Sequence, residues 1–173
     1  MIGNPWYIIT LIGDPYIWTV LIGVFIFFFL ISLDTVFKNQ KLQKRKKNFK
    51  KFVIVLVASL LIAYIAVGGI KAITEIPRPC TPCLTETISA CNPFCTEDYS
   101  FPSGHSTIAF VIFTSVILAS RRKKLIPLFI IPALVAASRV ILGVHTISDV
   151  VAGSALGFLI TFFIWKHVKK RQK

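Results

Sequence analysis

Acidic residues are scarce in this chain, with seven Asp and Glu against twenty Lys and Arg in 173 residues, a net charge of +13. Charge of either sign is thin, at 16%, whereas aliphatic, aromatic and Cys residues make up 55%. With a mean hydropathy of +0.74, so little charge excludes an ordinary soluble domain. So few carboxylates also exclude a two-metal catalytic centre, which needs several of them around its ions. The start of the chain lacks a basic n-region followed by a small-residue cleavage site, so its first apolar run is expected to be an anchor and not a cleaved signal peptide. The length allows one domain at most, taken as residues 1–173.

What is abundant is organised. Seventeen of the twenty basic residues fall in three blocks, 38–51, 121–124 and 166–173, each beside a long apolar run. On a soluble surface such charge would point to nucleic acid; in short loops beside apolar segments it is the positive-inside pattern, and nucleic-acid binding is not expected. Attraction to anionic inner-leaflet lipid is. Five spans are expected, at 16–33, 52–70, 104–120, 125–144 and 146–165, near the roughly 20 residues that cross a bilayer. The fourth is interrupted by Pro127, Pro132 and the pair Ser138-Arg139, so its last turns should face a polar cavity. Residues 2–13, with Trp6 and Tyr7, are too few to span and read as an interfacial or re-entrant segment. The expected fold is therefore all-α, a polytopic membrane helix bundle of about five transmembrane helices. If the three basic blocks are cytoplasmic, residues 71–101 lie outside, Met1 is outside and the C-terminus is inside.

All four Cys residues, Cys80, Cys83, Cys91 and Cys95, fall in the external stretch. Their C-x-x-C and C-x-x-x-C spacing also suits zinc. An oxidising compartment favours two disulfides instead, with three connectivities open. Such bridges would hold a cap over whatever site lies beneath, with Glu86, Glu97 and Asp98 on its surface.

The three basic residues outside the blocks are Lys71, Arg78 and Arg139. A charge within lipid costs about 2.5–3.5 kcal/mol on insertion scales, so each needs a reason. Lys71 has a plain one, snorkelling to the headgroups. Arg139 does not, because residues 140–144 continue apolar before the outer surface. His145 and Asp149 are four apart at the start of the last span, a spacing that puts both on one helix face. A carboxylate beside an imidazole fixes its tautomer and prepares it as nucleophile or base. The plain alternative is an Asp that simply complements the helix dipole. Pro102-Ser103-Gly104-His105 opens the third span, with Ser103 as N-cap and Gly104 permitting close backbone approach. A helix start with free N–H groups is itself an anion site. Three cations, two His and one Asp make a set for phosphoryl chemistry: charge stabilisation, nucleophile, orienting carboxylate and leaving-group acid. With Asp149 and Glu75 the only carboxylates expected nearby, no metal and no other cofactor is expected.

These residues form K-x6-R-P (Lys71 to Arg78-Pro79), P-S-G-H (102–105) and S-R-x5-H-x3-D (Ser138-Arg139 through His145 to Asp149). In that order the chain resembles the type 2 phosphatidic acid phosphatase superfamily, which includes lipid phosphate phosphatases, bacterial acid phosphatases and vanadium haloperoxidases. The resemblance covers roughly residues 52–165, its signatures lying within 71–149. It implies that His145 attacks phosphorus to form a phosphohistidine and that Asp149 holds His145. It implies that His105 protonates the leaving oxygen and then activates water. Lys71, Arg78, Ser103, Gly104 and Arg139 would bind the phosphate oxygens.

The expected activity is hydrolysis of a lipid phosphate or pyrophosphate in the bilayer. An outward-facing site suits a polyprenyl carrier lipid, with phosphatidic acid or phosphatidylglycerol phosphate as the alternative. A non-catalytic lipid-phosphate binding or scaffolding protein is the reading from another class; phosphate transfer to another acceptor, or haloperoxidase chemistry, is a third.

Overall fold

The computed structural model describes residues 40–80, 92, 94–120 and 123–170, together with Pro5 and Ile9. The expected first span, the rest of the segment 2–13, Glu86, Cys83 and Cys91 lie outside the described residues. Four α-helices carry the described fold: α1 (Gln40–Thr74), α2 (Gly104–Ser120), α3 (Ile130–Ile141) and α4 (Ile147–Lys170), with a 3-10 helix over Lys123–Phe129 leading into α3. Asn48–Thr74, Lys124–Ile141 and Ile147–Lys170 are long and apolar enough to cross a membrane, and Gly104–Ser120 is a shorter apolar helix. The architecture is the expected all-α membrane bundle.

Two expected elements differ. The block 38–51, read as a loop, is helical from Gln40 and continuous with the span behind it. Lys, Gln and Arg are good helix formers, and neither Gly nor Pro interrupts the run before Gly68. The same helix carries Lys71 in its last turn and so lifts it out of the loop. Secondly, the fourth span is not one α-helix. It starts as the 3-10 helix around Pro127, becomes α-helical at Ile130 and ends at Ile141. Pro127 cannot donate to an α-helical ladder, which accounts for the tighter first half.

Packing is inverted relative to a soluble protein. Leu61, Tyr64, Ile65 and Phe163 are exposed, as suits lipid, while Ser59, Ser106, Thr107, Ser115 and Thr161 are buried. The small buried residues explain how closely two helices meet. Asp149, Gly153, Gly157 and Thr161 form a buried i, i+4 stripe on α4, facing Ser103 and Thr107. A Cβ built on Gly153 would lie 2.5 Å from the Ser103 carbonyl oxygen, and one on Gly157 would lie 2.3 Å from that of Thr107. Only glycine permits this approach, the small-residue packing typical of membrane helices. Away from that seam, Leu56 and Ala63 of α1 cluster with Val111 and Ile112 of α2. Phe129 ties the 3-10 segment to the bundle, its ring centroid 6.0 Å from Phe110 and 6.2 Å from Phe158.

Candidate active site

The site forms where α1 ends, α2 and α4 begin, and the turn after α3 returns. Each of these has a local cause. Helix α1 stops at Thr74; Glu75 takes a positive φ of 48° and Pro77 follows, which prevents continuation. Beyond α3, Gly143 adopts φ 69°, a conformation that costs glycine little. The reversed chain then lets the amides of Val144 and His145 donate to the Arg139 carbonyl at 3.2 and 3.3 Å. The turn therefore places His145 above a buried Arg139, which is 6% exposed. Asn92 holds the turn from outside, its Nδ2 donating to the Leu142 carbonyl at 2.7 Å.

His145 and Asp149 meet, but not as two residues on a helix face. His145 precedes α4, whose first residue is Ile147. Asp149 reaches back through a capping box: the Thr146 amide donates to Asp149 Oδ2 at 2.7 Å, and the Asp149 amide donates to Thr146 Oγ1 at 3.3 Å. From there Oδ2 lies 3.4 Å from His145 Nδ1. One carboxylate thus caps the start of α4 and also lies beside the imidazole.

Lys71 and Arg78 converge on a residue the sequence reading left on the loop surface. Asp98 accepts from Lys71 Nζ through Oδ2, and from Arg78 Nη2 (2.6 Å) and Nε (3.1 Å) through Oδ1. Lys71 also donates to the Tyr99 carbonyl, so in this structure it is paired and not snorkelling. Burial works to raise the Asp98 carboxyl, but hydrogen bonds from Lys71, Thr96 and Arg78 and the Arg78 charge outweigh it and hold it well below the usual carboxylate range. The remaining Arg78 nitrogen, Nη1, lies 3.1 Å from the Val144 carbonyl and 3.0 Å from His145 Nε2.

That last contact assigns the imidazole. Guanidinium has donors only, so Nε2 must present its lone pair and Nδ1 must carry the proton. Burial, followed by the charges of Arg78 and Arg139, pushes His145 down to about 3 against a smaller opposing pull from Asp149. A neutral ring with its Nε2 lone pair turned towards the cations is the form a nucleophile requires.

His105 is the second residue of α2, in the electrostatic field of Arg139, His145, Arg78 and Lys71. Gly104 begins that helix, with room beside it as far as Val67 at 3.9 Å. Ser103 is fully buried. Its amide donates to the Asp149 carbonyl (3.0 Å) and its hydroxyl accepts from Ser106 (3.1 Å), so it links α2 to α4 directly beneath the site. Cys80 and Cys95 form a disulfide with Cα atoms 6.0 Å apart, tying the segment after Arg78 to the segment that leads into Asp98. Two site residues escaped the sequence reading: Asp98 and Ser100, whose buried hydroxyl lies between His145 and Asp149. The position of Ser100, two residues before Pro102, was its one visible signal.

Comparison with known proteins identifies relatives of this chain and of its fold. The phosphatidylglycerophosphatase B of Bacillus subtilis (strain 168) is 38% identical over 78 residues, which cover 39% of this chain and 38% of that protein. An undecaprenyl-diphosphatase of Sulfolobus acidocaldarius is 43% identical over 65 residues, covering 38% of this chain and 32% of the relative. The match thus spans about a third of these relatives' length. The fold aligns with the crystal structure of the first transmembrane PAP2 type phosphatidylglycerolphosphate phosphatase from Bacillus subtilis at a TM-score of 0.65 and 24% identity, over 99% of this chain and 81% of that one. A family model described as the PAP2 superfamily matches residues 52–173, the stretch that holds every cation, His and Asp of the site, and this chain belongs to that superfamily.

Proposed function

We propose that the chain is a membrane phosphatase that hydrolyses a lipid phosphate or pyrophosphate through a phosphohistidine on His145. One observation carries the reading: the Nε2 lone pair of a buried, neutral His145 faces Arg78, beside Lys71, where both cations already grip one carboxylate. A phosphoryl group has the oxygens to replace that carboxylate, and would then present its phosphorus to Nε2. Arg78 offers a planar fork and Lys71 a point charge; Arg139, Ser103 and Gly104 complete the proposed oxyanion contacts.

In the first step Nε2 attacks phosphorus, the bond to the leaving oxygen breaks, and His105 gives that oxygen a proton. Water then attacks the phosphohistidine, its proton passes to His105, and the P–N bond breaks to release phosphate and restore His145. Asp149 stabilises the ring as it gains charge on attack. The side chains supply the cationic charge, so the reaction is read as metal-independent.

The substrate favoured is a polyprenyl carrier pyrophosphate or monophosphate, reached from the outer face. Phosphatidylglycerol phosphate and phosphatidic acid are the alternatives, and the named activities of the two relatives fall on both sides of that choice. Outward orientation rests on the basic blocks, which the positive-inside bias assigns to the cytoplasm.

The test is phosphate release by purified protein from polyprenyl pyrophosphate, phosphatidic acid and phosphatidylglycerol phosphate, each with excess EDTA. Hydrolysis should persist in EDTA and disappear in His145→Ala. Retention of more than about a tenth of the rate in that variant would remove His145 as nucleophile, since acid–base help alone contributes roughly 10²–10⁴-fold. Activity that collapses on chelation and returns with magnesium would refute the metal-free route.

A further inference from the structure

We propose that Ser100 is a positioning residue for His145, its hydroxyl bridging imidazole Nδ1 and the Asp149 carboxylate and thereby fixing the tautomer that exposes Nε2. The proposal rests on the phosphatase reading for its kinetic consequence, but its geometry stands alone. By spacing alone, a carboxylate four residues from a His would orient it. Here the direct contact is long, at 3.4 Å from Nδ1 to Oδ2, beyond the usual N–H···O range of about 2.7–3.2 Å. Oδ2 is also committed elsewhere, accepting from the Thr146 amide at 2.7 Å and from the Ser100 hydroxyl in a short bond. Ser100 Oγ lies 3.3 Å from Nδ1, also just beyond that range, so the two oxygens flank the Nδ1 proton together and neither holds the ring alone.

Counting protons settles the directions. A serine hydroxyl carries one proton and two lone pairs. That proton goes to Asp149, whose ionised oxygen can only accept. The Oγ lone pairs therefore face Nδ1, which must donate; its proton is shared between Oγ and Oδ2. Arg78 makes the same demand from the far side of the ring, where Nη1 can only donate to Nε2. Ser100 is placed to hold this arrangement, being fully buried with its amide anchored on the Ile76 carbonyl at 2.8 Å. When Arg78 turns to bind phosphate it no longer constrains Nε2, and Ser100 with Asp149 then alone keep the proton on Nδ1.

Three measurements test this. In 15N-histidine spectra of the detergent-solubilised wild-type protein, His145 should be the neutral Nδ1–H tautomer. It should remain so with vanadate bound or with Lys71 and Arg78 otherwise screened by salt. A wild-type Nε2–H tautomer overturns the proposal whether or not any variant folds, and whether or not the protein hydrolyses any lipid tried. Ser100→Ala should give mixed tautomers and lower kcat about 10- to 100-fold, by analogy with the loss of an outer hydrogen-bond partner of a metal-ligating His, with KM and vanadate inhibition unchanged. Ser100→Thr, which keeps the hydroxyl, should recover most of that kcat. In an Asp149→Asn background Ser100→Ala should cost less than in wild type, because the two act on one proton. Equal losses in both backgrounds, or a parallel fall in kcat and vanadate affinity with no rescue by Thr, would reduce Ser100 to a packing residue and refute the assignment.

Discussion

Gly153→Ala should damage the site while changing no chemical group in it. The added Cβ would stand 2.5 Å from the Ser103 carbonyl oxygen and 3.0 Å from Thr107 Oγ1. Ordinary van der Waals contact begins at 3.4 Å, so from 2.5 Å the opposing backbone must retreat by at least 0.9 Å. Ser103 cannot retreat alone. Its carbonyl accepts from the Thr107 amide and hydroxyl at 3.0 and 2.9 Å, and its own amide is held by the Asp149 carbonyl at 3.0 Å. The start of α2, and His105 with it, must therefore shift relative to His145 and Asp149. Overpacking of this kind costs typically 1–3 kcal/mol, and a misplacement near 1 Å is worth up to about 10²-fold in rate. A fall of one to two orders of magnitude in kcat/KM is expected, with a modest drop in thermal stability in detergent. Gly157→Ala meets the Thr107 carbonyl at 2.3 Å, one turn further from the chemistry; it should lose more stability and proportionately less activity. Gly68→Ala is the control, with nothing within 4 Å of its Cβ. Phosphate release from lipid substrate in mixed micelles reads activity, and a detergent melt reads stability. Wild-type kcat/KM in Gly153→Ala would refute the claim that this close approach positions the site.

Three further outcomes follow from the same geometry. Asp98→Asn removes the carboxylate that occupies Lys71 and Arg78, so inhibition by orthovanadate should strengthen several-fold; weaker inhibition would mean that Asp98 organises the cations instead of competing for them. The depressed His145 value, about 3 against an ordinary 6.5, means that the unfolded chain takes up a proton below pH 6.5 while the folded site does not. The stabilisation is complete above that pH and is lost as pH falls towards 3, by roughly 2 kcal/mol at pH 5, and melts of wild type and His145→Gln at pH 7.5 and 5 should show the larger acid loss in wild type; equal losses would refute it. In intact cells an impermeant maleimide should label Cys80, Cys83, Cys91 and Cys95 only after an impermeant reductant, whereas a need for permeabilisation would place the loop, and the site with it, in the cytoplasm.

The sequence by itself determined the membrane and the helical class, and it singled out Lys71, Arg78, His105, Arg139, His145 and Asp149 as one candidate group. It could do so because long apolar runs, and basic residues in places lipid penalises, are local signals that need no folding to be read. It also supplied the Cys residues, of which Cys80 and Cys95 are paired across the loop. Helix boundaries were less legible: the basic block gave no stop signal, so α1 ran through it, and Pro127 tightened what hydropathy alone presents as one span. The tertiary structure alone decided how the chemistry is arranged. Spacing suggested His145 and Asp149 side by side on a helix; a Gly143 turn and a capping box at Thr146 bring them together instead. Asp98 has no local signature, and Ser100 only its place two residues before Pro102, because their partners are 27, 20, 45 and 49 residues away in the chain. A short polar side chain acquires a role only when distant segments put a cation or an imidazole against it; Ser100 leads into α2, which two glycines let approach α4 until their backbones nearly touch.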